Sequence, residues 1–446
     1  MASKYDNYKD SVLITNARVF CPASGTDIVN GFVAVQNGLI EAFGDMASLD
    51  KLVPNKQVYT NIVDAKSRLL TAGFLDIQVH FRDPGQTHKE DLVSGSKAAV
   101  FGGVTTVVCQ PNTAPTLDSI MALDYLKYKA LATSFCDIKT YASVTKGLVG
   151  TELCDLQTLA AHDIVVGFTD DGLPVNNPHF MRVAFEFSDK LNFIVAQHAE
   201  DHYLSNKGCI NEGFVSAELG VRGIPNISES SIVARDIEIL RYTGGHYHVL
   251  HVSCKETIEL VKAAKKDGLN ITCEVSPHHL ALNDEAVKKY GTNAKMNPPL
   301  RSEEDRLALV KAMQDGYIDA IATDHAPHDI TLKNKDIESA AFGIIGLETM
   351  LPITLSFVHD GTISLAAAIE LLTSKPAKVI NLEDRGTITK GKRADLTITD
   401  INEEWVFDAS QVRSKCKNSP FLNNKYKGKV KASFVLGNLA FMDDNF

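Results

Sequence analysis

Apolar and polar residues follow one another along this chain with two distinct textures. From about residue 69 to 384, short β-like apolar runs recur at Leu69–Phe81, Thr105–Gln110, Ile138–Val144, Ile164–Thr169, Phe193–Gln197, His248–Val252, Ile271–Val275 and Ala320–Ala322. Between them, Asp118–Leu131, His179–Leu191, Glu229–Tyr242, Lys255–Lys266 and Glu303–Gln314 carry apolar residues three and four apart, the period of a helix with one buried face. Ser253-x-x-Glu256 reads as a capping box opening one of these helices. Eight strands interleaved with helices predict an α/β chain closed into a (β/α)8 TIM barrel. An open doubly wound sheet is the alternative, but no G-x-G-x-x-G or Walker loop follows a strand to support it.

The two ends differ from the middle and resemble each other. Ser11–Phe20, Gly31–Gln36 and Leu39–Phe43 near one end, and Ala394–Ile398, Trp405–Phe407, Lys429–Leu436 and Leu439–Met442 near the other, read as short strands. Asn37-Gly38 and Gly437-Asn438 read as two-residue hairpin turns. Each end is too short to build its own core. The expected organisation is one small β-sandwich domain made from residues 1–68 and 385–446, with the barrel as residues 69–384.

Composition narrows the function only by exclusion. With 44% hydrophobic and 22% charged residues the chain is neither disordered nor low-complexity. Its net charge of −10 argues against nucleic acid as the main partner. No apolar run approaches the ~18 residues of a membrane span. The start, Met1-Ala-Ser-Lys-Tyr-Asp, lacks the basic and apolar stretches of a signal peptide. Eight scattered Cys without a C-x-x-C pair read as reduced core thiols of a cytoplasmic protein, not as a disulfide framework or zinc ribbon.

Candidate chemistry collects at strand ends, where a parallel barrel builds its active site. The first strand ends Asp76-Ile-Gln78-Val-His80-Phe-Arg82, and period two puts its four polar residues on one face. Such a face is costly to bury unless each group has a partner; a polar edge strand is the plain alternative. Other ends carry Asn112, Asp170-Asp171, His198 and Glu200, His251, Glu274, His278-His279, and Asp324-His325 with His328. Six strands with His or carboxylate at one end suit a metal such as zinc with an open position for water. Period alone leaves the choice between Asp170 and Asp171 open.

In order, Asp-x-Gln-x-His-Phe-Arg-Asp-Pro-Gly (76–85), Pro111-Asn-Thr113, Thr145-Lys-Gly147, Asp170-Asp-Gly172, Gln197-His-Ala-Glu200, Met296-Asn-Pro-Pro-Leu-Arg301, Ala322-Thr-Asp-His-Ala-Pro-His328 and Gly343-Ile-Ile-Gly-Leu-Glu-Thr349 resemble the class I dihydroorotase branch of the amidohydrolase superfamily. The likeness spans nearly the whole chain. It implies a metal-dependent barrel with His80, Asp171, His198, His251 and Asp324 as ligands, and Asp171 in place of the carboxylated lysine of many relatives. Asp324 would also be the catalytic acid and base. Arg82, Asn112 and His328 would hold the substrate carboxylate, and Asn297 its amide. A structural salt bridge from Arg82 to Asp76 or Asp83 is the alternative for that residue.

The implied reaction is reversible hydrolysis of a cyclic amide, dihydroorotate to carbamoyl aspartate, in pyrimidine biosynthesis, with Zn2+ as cofactor. Gln78 departs from the superfamily's pair of first-strand His residues. One ion, two ions with Gln78 as a weak oxygen ligand or as a group supporting the ligands from behind, or a non-catalytic homologue all remain open. Another cyclic amidohydrolase, of hydantoinase or allantoinase type, and a scaffold for aspartate carbamoyltransferase are the competing functions. A homodimer and a carbamoyltransferase contact are the partner readings that go with the resemblance. Asp329–Ser339 reads as either a mobile cover or a solvated loop.

Overall fold

The computed structural model describes residues 11–446. Eight parallel strands form the barrel: Phe74–Val79, Val104–Cys109, Asp137–Ala142, Val165–Phe168, Ile194–Gln197, His246–Val249, Ile271–Val275 and Ala320–Ile321. Each pairs with the next in sequence. The seam between first and eighth closes through a Val79–His325 bridge, with the His80 N–H donating to the His325 carbonyl at 2.9 Å. Alternation along the strands sorts the apolar residues into two layers. Leu75, Ile77, Val108, Tyr141, Val166, Ile194 and Ala196 form one cluster, with Ala377 and Val379 of the helix Ser374–Val379 packed into it. The opposite face packs against the surrounding helices, as where Tyr247 meets Phe185 at 5.4 Å.

The amphipathic helices stand where their period predicts: Lys255–Lys266 and Glu303–Gln314 coincide with expectation, and Pro178–Leu191 differs by one residue. Helix Leu92–Phe101 is different. Asp91 caps it, accepting from the Ser94 N–H at 2.8 Å, and seven of its ten residues are buried. A helix with so little polar face shows no 3.6-residue contrast. The expected capping box at Ser253 is absent. The Ser253 hydroxyl instead engages Glu229, whose carboxylate also accepts the Ser253 N–H at 3.1 Å, and Arg301 donates to the same hydroxyl at 3.0 Å.

Both termini build one small β domain. Its eight strands hydrogen-bond in a continuous sheet, and Ile14, Val33, Ile398 and Phe434, drawn from both ends, share its core. The two hairpins meet: the Ala394 N–H donates to the Gly38 carbonyl at 2.8 Å, and the Gly437 N–H to the Ala394 carbonyl at 2.9 Å. Asn37 and Gly38 take the positive φ of 51° and 75° expected of them. The second turn lies one residue earlier than expected. Leu436 and Gly437 have φ of 49° and 73°, and Val435 pairs with Asn438. All eight Cys are buried and unpaired. Among the described residues no helix is long and apolar enough to cross a membrane.

The apolar run Leu69–Phe81 is two strands, not one. Leu69–Ala72 pairs with Val12–Cys21 and Leu396–Phe407 in the terminal sheet, and Phe74–Val79 starts the barrel. Gly73 makes the crossing, its N–H donating to the Asp395 carbonyl at 2.8 Å. A Cβ there would lie 2.1 Å from the Thr105 hydroxyl oxygen and 2.8 Å from its Cβ. Gly73→Ala is therefore expected to cost about 1–3 kcal/mol of stability through overpacking. Thermal unfolding checks this, and an unchanged Tm would refute it.

Candidate active site

The C-terminal mouth of the barrel holds a cavity of about 220 Å3. His80, Arg82, Asn112, Asp171, His198, His251, Asn297, Asp324 and His328 all line it, together with Gly172, Ala326, Phe342 and Gly343. Every site residue singled out in the sequence except Gln78 thus faces one space. Gln78 is fully buried beside it and donates from Nε2 to Asp171 Oδ2 at 3.3 Å.

Period two accounts for the first strand in part: Gln78 and His80 both meet Asp171 Oδ2, and Asp76 does not. Regular pairing breaks between Asp76 and Val79, and the strand ends at Val79. Asp76 stays out of the cavity: it accepts the Thr323 N–H at 3.0 Å and bonds the Thr323 hydroxyl, bracing the seam to the eighth strand. Burial raises its carboxyl to about 7. Arg82 reaches the cavity from a left-handed backbone with φ 59°. His251 (φ 33°) and Asp324 (φ 50°) share that rare conformation. Non-glycine residues held there cost on the order of 1–3 kcal/mol each, and they gather at functional sites.

The fourth strand settles its own ambiguity. Asp170 Oδ1 accepts the N–H groups of Val144 and Thr145 at 2.9 and 3.0 Å, and its Oδ2 takes the Thr145 hydroxyl at 2.5 Å. It braces the third-strand loop. Asp171 faces the cavity instead. Its Oδ1 lies 3.3 Å from His198 Nδ1 and 3.7 Å from His251 Nε2, and its Oδ2 lies 3.5 Å from His80 Nε2. His198 Nδ1 and His251 Nε2 are 2.9 Å apart. These donors are the types zinc and similar ions take. Asp171, His198 and His251 are the one group among the described residues with spacing suited to an ion.

Electrostatics follow from this convergence. Burial opposes charge on Asp171, but the His198 and His251 rings outweigh it and hold the carboxylate well below its usual range. Burial likewise opposes charge on His198, and Asp171 with Glu200 outweighs it, raising the imidazole to about 10. Opposite His80 stand Asp324, 3.0 Å from Nε2, and Asn112, 3.0 Å from Nδ1, so both ring nitrogens are held.

Arg82 brings a guanidinium to the cavity. It is 8% exposed, and its NH2 lies 3.3 Å from His328 Nε2. Its Nε has no hydrogen-bond partner. Neither carboxylate proposed for it in the sequence reading engages it: Asp83 pairs with Lys129 at 2.7 Å and Asp76 with Thr323. Burial lowers the guanidinium to about 10, which still leaves it charged at neutral pH. Burial and the neighbouring Arg82 push His328 down to about 2, so it faces the cavity as a neutral ring.

Several contributors hold the site from behind, and of these the sequence marks only Glu200, as a strand-end carboxylate without an assigned role. Glu200 accepts from His198 Nε2 at 3.1 Å and from Asn297 Nδ2 at 2.8 Å, fixing both at once. Asn418, from the terminal domain, accepts the His328 N–H at 3.1 Å and donates to the Ala326 and Gly343 carbonyls at 3.1 and 3.0 Å. Lys333 is 1% exposed; its ammonium donates to the carbonyls of Ala341 and Gly343 at 2.9 Å and Lys295 at 3.2 Å. That anchor pins the segment 329–339 to the cavity wall. His278 and His279 are buried outside the cavity, and His325 bonds Glu90 at 3.4 Å.

A parallel barrel whose mouth gathers imidazoles and carboxylates around one cavity defines a metal-dependent cyclic amidohydrolase. The chain belongs to the amidohydrolase family, whose model matches residues 69–440. It is 49% identical to a dihydroorotase of Anaplasma phagocytophilum (strain HZ), over 97% of this chain and 95% of that one. It is 40% identical to a dihydroorotase of Geobacter metallireducens, over 97% and 99%. Among solved structures, L-hydantoinase (dihydropyrimidinase) from Arthrobacter aurescens superposes with a TM-score of 0.85 at 25% identity, covering 97% of this chain and 96% of that one.

Glu200 orients His198 without facing the ion position, a role that typically carries a 10–100-fold effect on metal affinity. Glu200→Ala should weaken metal binding by about that factor, measured by competition with a chelator. Equal affinity would remove Glu200 from this role.

Proposed function

We infer that the protein is a dihydroorotase, interconverting N-carbamoyl-L-aspartate and (S)-dihydroorotate in pyrimidine biosynthesis with Zn2+ as its metal. The observation that carries this reading is Arg82, a buried guanidinium facing the cavity beside Asp171 and Asp324 with no carboxylate partner of its own. A buried cation is costly unless an anion joins it. Dihydroorotate brings a carboxylate outside its reacting amide; plain hydantoins and dihydropyrimidines bring none. The planar fork of Arg82 suits that carboxylate. Asn112 and neutral His328 complete the polar wall around it, and Asn297 stands ready for the ring amide.

Asp171, His198 and His251 would hold the ion. When bound, zinc supplies Lewis acidity toward the scissile carbonyl and lowers the pKa of water from about 15.7 to about 7. The chain's own work is proton transfer and orientation. In hydrolysis Asp324 takes the proton from attacking water and returns it to the ring nitrogen as the C–N bond breaks. In cyclisation it collects the proton from the carbamoyl nitrogen as that nitrogen closes on the carboxyl carbon, and passes it to the hydroxyl whose C–O bond breaks, which leaves as water. The His80 ring, 3.0 Å away, holds the Asp324 carboxylate in line for either direction. A cytoplasmic location fits eight buried thiols that stay reduced.

The purified, zinc-loaded protein should hydrolyse dihydroorotate and form it from carbamoyl aspartate, followed spectrophotometrically, with hydantoin a much poorer substrate. Preference for hydantoin would overturn the reading. Arg82→Met should raise KM for dihydroorotate about tenfold to a hundredfold, the worth of lost hydrogen bonds to a charged group, with metal content unchanged. An unaltered KM would remove Arg82 from carboxylate binding. Asp324→Asn should lower kcat by about 100- to 10,000-fold, the usual share of a general acid and base.

A further inference from the structure

We propose that this chain binds one metal ion, held by Asp171, His198 and His251, and that Gln78 closes the neighbouring position to a second. The inference rests on the metal-dependent reading of the cavity and concerns the chain's departure at Gln78.

The first position is complete by geometry. Zinc bonds to imidazole nitrogen and carboxylate oxygen are about 2.0–2.2 Å, which at tetrahedral angles sets neighbouring donors about 3.4 Å apart. The separations among Asp171 Oδ1, His198 Nδ1 and His251 Nε2 are 3.3, 3.7 and 2.9 Å, centred on that value. Three protein ligands leave a fourth place open toward the cavity, as catalytic sites require.

The second position has other work. His80 Nε2 lies 3.0 Å from Asp324 Oδ1 and 3.5 Å from Asp171 Oδ2, and the remaining corner belongs to Gln78. There the side chain presents Nε2 to Asp171 Oδ2 at 3.3 Å, and an amide nitrogen has no lone pair to offer a cation. Gln78 Oε1 is buried and accepts no hydrogen bond. Turning the amide over would set that oxygen against Asp171 Oδ2. Asp171 Oδ2 would also lose its donor. Even after a flip, a neutral amide oxygen is a harder and weaker ligand for zinc than imidazole. Gln78 thus gives Asp171 Oδ2 a hydrogen bond where a second ion would give it a coordinate bond.

Metal counting tests this without reference to turnover. Protein stripped with chelator, reloaded with excess zinc and desalted is analysed by elemental analysis and native mass spectrometry. One ion per chain is expected in the parent and in His80→Ala, and none in His198→Ala. Gln78→His should take up two. Two ions in the parent, loss of the ion in His80→Ala, retention in His198→Ala, or one ion in Gln78→His would each overturn the proposal. Should a ligand variant fail to fold, cobalt titration of the parent and Gln78→His, followed by absorbance, gives the same count. Breaks at one and two equivalents support the proposal, and equal breakpoints refute it. The dihydroorotate assay on the same samples separates the two readings. A one-ion protein inactive on dihydroorotate refutes the substrate and leaves the ion count standing; an active two-ion protein does the reverse.

Discussion

The carboxylate of Asp171 is the contact on which the centre depends. One oxygen faces His198 and His251 from the fifth and sixth strands, and the other faces His80 and Gln78 from the first. A buried carboxylate is expensive to ionise, so it persists only where surrounding donors outweigh desolvation. Here they do, and the outcome is a negative charge fixed near the barrel mouth. Remove it and the two imidazoles, 2.9 Å apart, would face each other with nothing between them. The rest of the mouth is arranged around that charge, with the Arg82 guanidinium lining the same cavity.

A second set of carboxylates does plain structural work close by. Asp76 and Asp170 both sit at strand ends in an acid-rich motif, yet each spends its oxygens on backbone N–H groups and a threonine hydroxyl of a neighbouring strand or loop. These bonds hold the first strand to the eighth and the fourth to the loop after the third. The ligand-bearing ends then have little freedom to drift. Arg82 and Asp324, with left-handed backbone, follow the two strands that Asp76 ties together.

Much of this was legible in the sequence where a physical signal is strong and local. Amphipathic helices such as Lys255–Lys266 show a buried and a wet face, and their bounds follow from it. The ordered motifs, too, name nearly every residue that lines the cavity. Helix Leu92–Phe101 was invisible because burial on most sides erases the contrast that periodicity needs. Asp171 could not be told from Asp170 because facing is set by how the chain leaves the strand, not by spacing. Of the one-face set, His80 and Arg82 line the cavity and Gln78 meets Asp171 beside it, whereas Asp76 turns to Thr323, and the strand breaks pairing between Asp76 and Val79. Asn418 and Lys333 act through contacts that no short-range pattern marks; Glu200 stood out at its strand end, but its bond to Asn297, 97 residues away, did not.

Asn418 has a bearing on how such an enzyme can change. It lies between the long strands Leu396–Phe407 and Asn424–Val435 of the terminal sheet, in a stretch that runs over to the barrel mouth and holds the backbone of Ala326, His328 and Gly343. The terminal domain therefore supports the wall of the reaction chamber from behind, although every residue lining it belongs to the barrel. Selection for a different ring or a different anion can act on that stretch, moving His328 by its peptide while every group that meets the substrate keeps its identity. Grafting the barrel alone onto another scaffold would leave that support behind.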